Sequence, residues 1–238
     1  MLKMYDEFAS WWPILSPVED YEEEATFFWQ LFERAGLPAS PSLLELGCGG
    51  GSNAFYLKEH FAHLTLCDLS PQMLAISRAL NPEGEHLEGD MRTIRLAREF
   101  DAVFIHDAID YMTTTADLRK AIETAFVHCK SGGVALFVPD NTRETFEPST
   151  DYDGQDVDGR ALRYIEWTYD PDERDTLYTT DYVYVLREAN QPVCVEHDQH
   201  ICGLFPRAEW LRLLEETGFE AKRVQDEYGR DLFVARKL

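Results

Sequence analysis

The chain of 238 residues is poor in positive charge: 22 Lys and Arg stand against 44 Asp and Glu, a formal net charge of −22. It holds no Lys/Arg run that could build a basic groove. Phosphate backbones and anionic membrane surfaces are repelled by such a balance, so neither a nucleic-acid nor a membrane partner is expected. It also lacks any pair of cysteines at CxxC spacing. Its five cysteines, Cys48, Cys67, Cys129, Cys194 and Cys202, are odd in number and far apart. That excludes a zinc ribbon and a disulfide framework and points to a reduced, cytoplasmic setting. No stretch is long and apolar enough to span a bilayer, and "MLKMYDEFAS" has no signal-peptide core. Repeats and low-complexity tracts are absent too. What remains, 45% hydrophobic and 13% aromatic residues, suffices for the core of one α/β domain with an elaboration, as monomer or homodimer.

Residues 19–35 carry Tyr21, Ala25, Phe28, Leu31 and Phe32 at helical spacing, with Gly36 as a stop. Before them, "YDEFASWWPILSP" reads as a short arm. Its Trp11 and Trp12 either pack on the domain, the simpler reading, or close over a ligand. From Ser42 strands and helices alternate: "SLLELG" is a buried strand, Ser52 to His60 a helix, "HLTLCDL" a strand, and "SPQMLAISRAL" a helix opened by Ser-Pro. "EHLEGDM" and "FDAVFIHDA" supply two more strands, "TADLRKAIETAFVHCK" a helix stopped by Gly132, and "GVALFVPD" a fifth strand. Such alternation predicts a doubly wound, mostly parallel sheet. It breaks after Asp140. "NTRETFEPSTDYDGQDVDGR" reads as an acidic loop, and three period-2 segments between Ala161 and Phe205 as a three-stranded antiparallel insertion. A last helix runs from Pro206 to Gly218, and the final strands follow. The expected division is an arm (1–40), a Rossmann-like core (41–141), a β-rich insertion (142–205) and a return to the core sheet (206–238).

The first strand ends in Glu45 and feeds "GCGGGS". Gly47, Gly49 and Gly51 would let a ligand approach bare backbone. Asp68, at the end of the next strand, stands where a carboxylate binds ribose hydroxyls, so the site fits a nucleoside. A nicotinamide dinucleotide would want GxGxxG, but Ser52 holds the third position. Glu45, Asp68, Asp90 and Asp107 at successive strand ends disfavour a pyrophosphate and suit a ligand with an ammonium and a sulfonium, S-adenosylmethionine (SAM).

The ordered series of that glycine loop, "CDLSPQML", "EGDM", "FDAVFIHDA" and "SGGVALFVPD" resembles the class I SAM-dependent methyltransferases over residues 40–140. The resemblance implies a Rossmann-like, mostly parallel seven-stranded sheet, SAM as methyl donor and S-adenosylhomocysteine as product. It implies that Gly47, Gly49 and Gly51 line the methionine part. Glu45 would organise the loop and the ammonium, Asp68 the ribose diol. Leu69, Met73 and Met91 would lie on the adenine, Asp90 would accept from its amino group, and His106 would offer its carbonyl to the ammonium.

The β-rich insertion, "EHDQHICGLFPRAEW" and the opening "MYDEFASWW" resemble the branch of small-molecule enzymes that includes the sugar N-methyltransferases of antibiotic pathways. One departure stands out: those sugar enzymes place a His after strand four, whereas this chain has Tyr111, with Asp110 in place of a small residue. An amine acceptor stays open, since Asp107 and Asp110 could bind a cation and Tyr111 could hydrogen-bond it. Tyr111, His200 and Asp110 are the catalytic candidates. His106 and His197 are weaker ones, because His197 and His200 point to opposite faces of one strand and only one can face a pocket. Their spacing without a third ligand argues against a metal. Tyr164, Trp167, Tyr178, Tyr182 and Tyr184 line a pocket or pack the insertion; by parity, packing is favoured for the last three. The leading expectation is methyl transfer to a small molecule, nitrogen slightly ahead of oxygen. A SAM-binding regulatory protein and a nicotinamide-dependent oxidoreductase are the alternatives.

Overall fold

A computed structural model describes residues 2–238; Met1, the first residue of the expected arm, lies outside the described residues. The arm makes 3-10 turns at Lys3–Tyr5 and Ala9–Trp11, then a short helix α1 (Trp12–Leu15), a 3-10 turn Val18–Tyr21 and helix α2 (Glu22–Arg34). Three glutamates in the first turn of α2 and Arg34 in its last match the helix dipole.

The central sheet has seven strands: β1 (Ser42–Leu46), β2 (His63–Asp68), β3 (Glu85–Glu88), β4 (Phe100–Ile105), β5 (Cys129–Phe137), β10 (Phe219–Gln225) and β11 (Asp231–Lys237). Their spatial order is β3-β2-β1-β4-β5-β11-β10. The first five run parallel, and β11 is antiparallel to both β5 and β10. Helices α3 (Ser52–Leu57), α4 (Pro71–Leu80), α5 (Thr115–His128) and α6 (Arg207–Thr217) complete the frame. Ser70 caps α4 by accepting from the Met73 N–H, with Pro71 as the first helical residue. Gly218, at φ +112°, ends α6.

Strand parity builds both layers. Leu44, Leu46, Val103, Ile105, Phe137 and Phe233 pack one face against α5 and α6. Leu43, Phe104, Leu66 and Leu136 pack the other against Phe28 and Phe32 of α2 and Leu57 of α3. Burial on both faces explains why these strands are near-continuous apolar runs. Strand order reverses between β1 and β4, and a doubly wound sheet opens its ligand crevice at such a switch point, beyond the carboxyl ends of the strands.

The insertion corrects the sequence reading. It has four strands, β6 (Ser149–Val157), β7 (Arg160–Tyr169), β8 (Leu177–Glu188) and β9 (Cys194–Gly203), in a simple antiparallel meander. The stretch read as an acidic loop contains β6. Nearly every β6 side chain is exposed, so no apolar alternation marks it. Asp158 and Gly159, at φ +49° and +81°, form the two-residue turn that pairs Val157 with Arg160. That Asp-Gly is a hairpin signal in its own right. The helix expected to stop at Gly132 ends at His128 instead. Gly132, at φ +78°, lies inside β5, near where its register with β4 shifts.

Candidate active site

The glycine loop is pinned by backbone. The N–H groups of Gly47 and Cys48 donate to the Cys67 carbonyl at 2.7 and 3.0 Å, which ties the end of β1 to β2. Gly47 has φ +76°, and a Cβ there would lie 2.3 Å from the Ala108 Cβ. Gly51, at φ +80°, precedes α3, and its carbonyl accepts from Asn81 Nδ2 at 2.9 Å. Asp68 accepts from the Gly49 N–H through Oδ2 and from the Ser70 N–H through Oδ1, both at 2.8 Å. Burial raises its carboxyl above the usual range. Glu45, 2% exposed, has a buried Oε2 without a hydrogen-bond partner. Burial first, then the nearby Asp68 and Glu24 carboxylates, push its carboxyl up to about 8. An orphaned buried carboxylate oxygen beside a cradle that a side chain would fill fits a ligand carrying an ammonium.

An ion network closes the carboxyl end of β4. His106 Nε2 lies 3.3 Å from Glu24 and 3.0 Å from Asp107. Arg230, from the β10–β11 turn, reaches Glu24 at 3.0 Å and Asp226 at 3.0 Å, and approaches Asp107 at 3.6 Å and Asp140 at 4.0 Å. The His106 and Arg230 charges, with Asn53, hold the Glu24 carboxyl down at about 2 against its burial. The next turn, Asp107–Tyr111, carries Asp110, whose Oδ2 accepts from the Asp140 N–H at 3.0 Å and from the Tyr178 hydroxyl at 2.9 Å. Burial, with Asp140 nearby, drives the Asp110 carboxyl well above its ordinary value.

Across the crevice, the inward face of β7–β9 presents Tyr164, Glu166, Tyr178, Tyr182, Tyr184 and His200 to the same cavity of about 850 Å³. That is the upper part of the roughly 300–1,000 Å³ range of ligand pockets. Tyr5 of the arm, Tyr111 and His200 make a row: Tyr5 and Tyr111 hydroxyls are 2.8 Å apart, and the Tyr111 hydroxyl is 2.9 Å from His200 Nδ1. Behind it, His200 Nε2 faces Asp198 at 3.7 Å, and Asp198 Oδ2 accepts from the Lys3 N–H at 2.7 Å. Burial lowers His200 below the usual imidazole range, more than Asp198 raises it. It is therefore neutral at pH 7, with Nδ1 free to accept.

The chain is similar to known methyltransferases. A model described as "Methyltransferase domain" matches residues 43–133. A dTDP-3-amino-3,4,6-trideoxy-α-D-glucopyranose N,N-dimethyltransferase of Streptomyces venezuelae is 29% identical over 226 residues, covering 91% of both chains. Among solved structures, Streptomyces venezuelae DesVI superposes with a TM-score of 0.83 at 27% identity, covering 92% of each chain. An amino pentose methyltransferase of Micromonospora echinaspora, solved with SAM bound, gives 0.80 at 26% identity and the same coverage. The chain is a class I SAM-dependent methyltransferase. The nicotinamide oxidoreductase and the non-catalytic SAM binder fall away with that membership.

In this methyltransferase nine of the ten residues expected at the donor site line that cavity: Glu45, Gly47, Gly49, Asp68, Leu69, Met73, Asp90, Met91 and His106; Gly51 does not. Leu69 is 55% exposed, an apolar side chain held open at the crevice. Asp90 is less free than expected: Arg92 binds both its oxygens and lowers its carboxyl. The His106 carbonyl already accepts from the Ile109 N–H at 3.0 Å. Tyr111, His200 and Asp110 also reach the cavity, whereas His197 points outward to Asp181 at 2.7 Å. The tyrosines expected to be core both pack and line: Tyr178 and Tyr184 are buried, and with Tyr182 they face the cavity. Trp167, of opposite parity, is 54% exposed on the outer face. Trp11 is buried under the insertion with Arg160 over its ring at 3.8 Å, and Trp12 covers the glycine loop at Gly50. Sequence reasoning missed Tyr5, Asp140 and Glu166. The Tyr-Asp of "MYDEFASWW" was the signal for the first; the other two sit in segments with no motif.

Proposed function

We propose that this methyltransferase methylates the nitrogen of a small, hydroxylated amine. The observation that carries the reading is the row Tyr5–Tyr111–His200, set opposite the glycine loop in a cavity also lined by Asp110. The amino-sugar N-methyltransferases among its relatives support it. Gly47, Gly49 and Gly51 cradle the methionine part of SAM, Glu45 meets its ammonium and Asp68 its ribose. Leu69, Met73 and Met91 cover the adenine, Asp90 accepts from its amino group, and the second lone pair of the His106 carbonyl serves the ammonium.

When bound, SAM supplies a methyl group already activated on a sulfonium. Positioning the acceptor nitrogen in line with it can account for about 7–11 kcal/mol of the barrier. The nitrogen attacks only as the free amine. Tyr111 orients it, and the proton passes from nitrogen to the Tyr111 oxygen as the hydroxyl proton moves to His200 Nδ1. Asp110 holds the substrate's charged or hydroxyl groups. A general base of this kind adds roughly 10²–10⁴-fold.

In this reading residues 41–141 with 206–238 bind the donor, while 1–40 and 142–205 roof the acceptor. The setting is cytoplasmic and reducing, the partner a small molecule rather than nucleic acid, and the assembly a monomer or homodimer. The test incubates the protein with SAM and a panel of amino sugars, other amines and hydroxylated analogues, and reads methylated products by mass spectrometry. Methylation of amines but not of their hydroxyl counterparts supports nitrogen transfer. Methylation of the hydroxyl compounds alone refutes it.

A further inference from the structure

The Streptomyces venezuelae N,N-dimethyltransferase named above acts on a sugar linked to dTDP, a nucleoside diphosphate and so an anionic handle. The acceptor half of this cavity offers that handle no free cation. Its lining carboxylates are Asp107, Asp110, Asp140, Glu147 and Glu166, and they come from the β4 turn, the segment after β5 and the insertion sheet. The one arginine on the cavity wall, Arg92, is held by both oxygens of Asp90 and by Asp117 at 3.3 Å. Arg230, the cation of the small neighbouring pocket that shares Asp140 and Asn141, is shared among Glu24, Asp226, Asp107 and Asp140. Two histidines complete the basic groups of the wall: His106 lies against Glu24 and Asp107, and His200 is neutral for the reason given above. A diphosphate placed here would meet a cluster of acids and no cation free of a carboxylate partner.

The same wall carries a donor-seeking atom without a partner. Asp110 is 4% exposed, and both of its hydrogen bonds go to Oδ2, which leaves Oδ1 at the cavity for an incoming donor. Asp107, Asp110, Asp140 and Glu166 all have carboxyls raised by burial, with neighbouring carboxylates adding to the push. A cation among them relieves both penalties at once.

We infer that the acceptor is a phosphate-free, cationic amine with hydroxyl groups, a free amino sugar or polyamino sugar rather than a nucleotide-linked one. This rests on the amine reading above. The test is calorimetric titration of the protein saturated with S-adenosylhomocysteine. Three probes are used: a 3-amino-3,6-dideoxyhexose as its methyl glycoside, the same sugar linked to dTDP, and dTDP alone. The free amino sugar is expected to bind at least tenfold more tightly than its dTDP form, with no heat from dTDP, and Asp110→Asn to weaken it about tenfold. Tighter binding of the dTDP-linked sugar, or binding of dTDP alone, overturns the inference and leaves the amine reading standing. Binding of neither amine, with S-adenosylhomocysteine still bound, sinks both.

Discussion

The two halves of this active site are built by different means. The donor half is made of backbone: a glycine loop, its ties to Cys67 and the N–H groups that grip Asp68, all between Gly47 and Ser70. The acceptor half is made of side chains brought from far apart, Tyr5 to Tyr111 across 106 positions and Tyr111 to His200 across 89. A backbone site tolerates few substitutions and is shared by a family, whereas a side-chain site can be rewritten residue by residue while the frame stays fixed.

The largest effect expected follows from the backbone half. Gly47→Ala places a methyl group 2.3 Å from the Ala108 Cβ on a residue at φ +76°. Binding of S-adenosylhomocysteine should fall more than about 100-fold while circular dichroism stays native. Near-normal affinity would show that the loop yields and that the donor half is not rigid. Asp68→Ala comes next. It removes a carboxylate that fixes the Gly49 and Ser70 N–H groups and is proposed to bind ribose. A charge-assisted bond contributes roughly 1.5–3 kcal/mol, so SAM affinity should drop about 10- to 100-fold with the acceptor's affinity little changed. If both affinities fell together, the halves would not be separable.

The side-chain half should respond the opposite way. Tyr111→Phe keeps the ring against Tyr5 and His200 and deletes the hydroxyl between them. It should lower kcat about tenfold or more on the true acceptor and leave SAM affinity within about twofold. An unchanged kcat removes Tyr111 from proton transfer and leaves it a packing role.

The same contrast explains what was legible in the sequence. Strands β1, β2, β4 and the second half of β5 are buried on both faces, so composition and alternation mark them. The donor residues follow at fixed positions from strand ends. β6 escaped because its exposed side chains leave no periodicity, although Asp158-Gly159 signalled its turn. Tyr5, Asp140 and Glu166 escaped because their proximity is a product of tertiary packing: the arm folds under the insertion through Trp11, Ile14 and Leu162. Parity required that His197 and His200 face opposite sides of β9, which needs only the two-residue period; which of them faces the cavity depends on how the sheet packs.

The smallest effect, and the one that joins charge to the donor half, is on stability. The Glu45 carboxyl is raised to about 8 in the folded chain, against the ordinary glutamate value of 4.5. Between those values the folded state binds more protons than the unfolded one, so stability falls as pH rises. The lowered histidines His86, His128 and His200 act the other way, but their contribution is complete above pH 6.5. From pH 7 to 8 the Glu45 effect is about 1 kcal/mol. For a chain of this size that is roughly 2–4 °C in Tm. Thermal denaturation at the two pH values should show that fall in the free protein and a smaller one with S-adenosylhomocysteine bound, because the ligand's ammonium favours the ionised carboxylate. Glu45→Gln should remove about 1 kcal/mol of the change and leave the part due to Asp140, whose carboxyl burial also raises to about 8. A slope left unchanged by the substitution would place its whole origin in the carboxylates of the acceptor half.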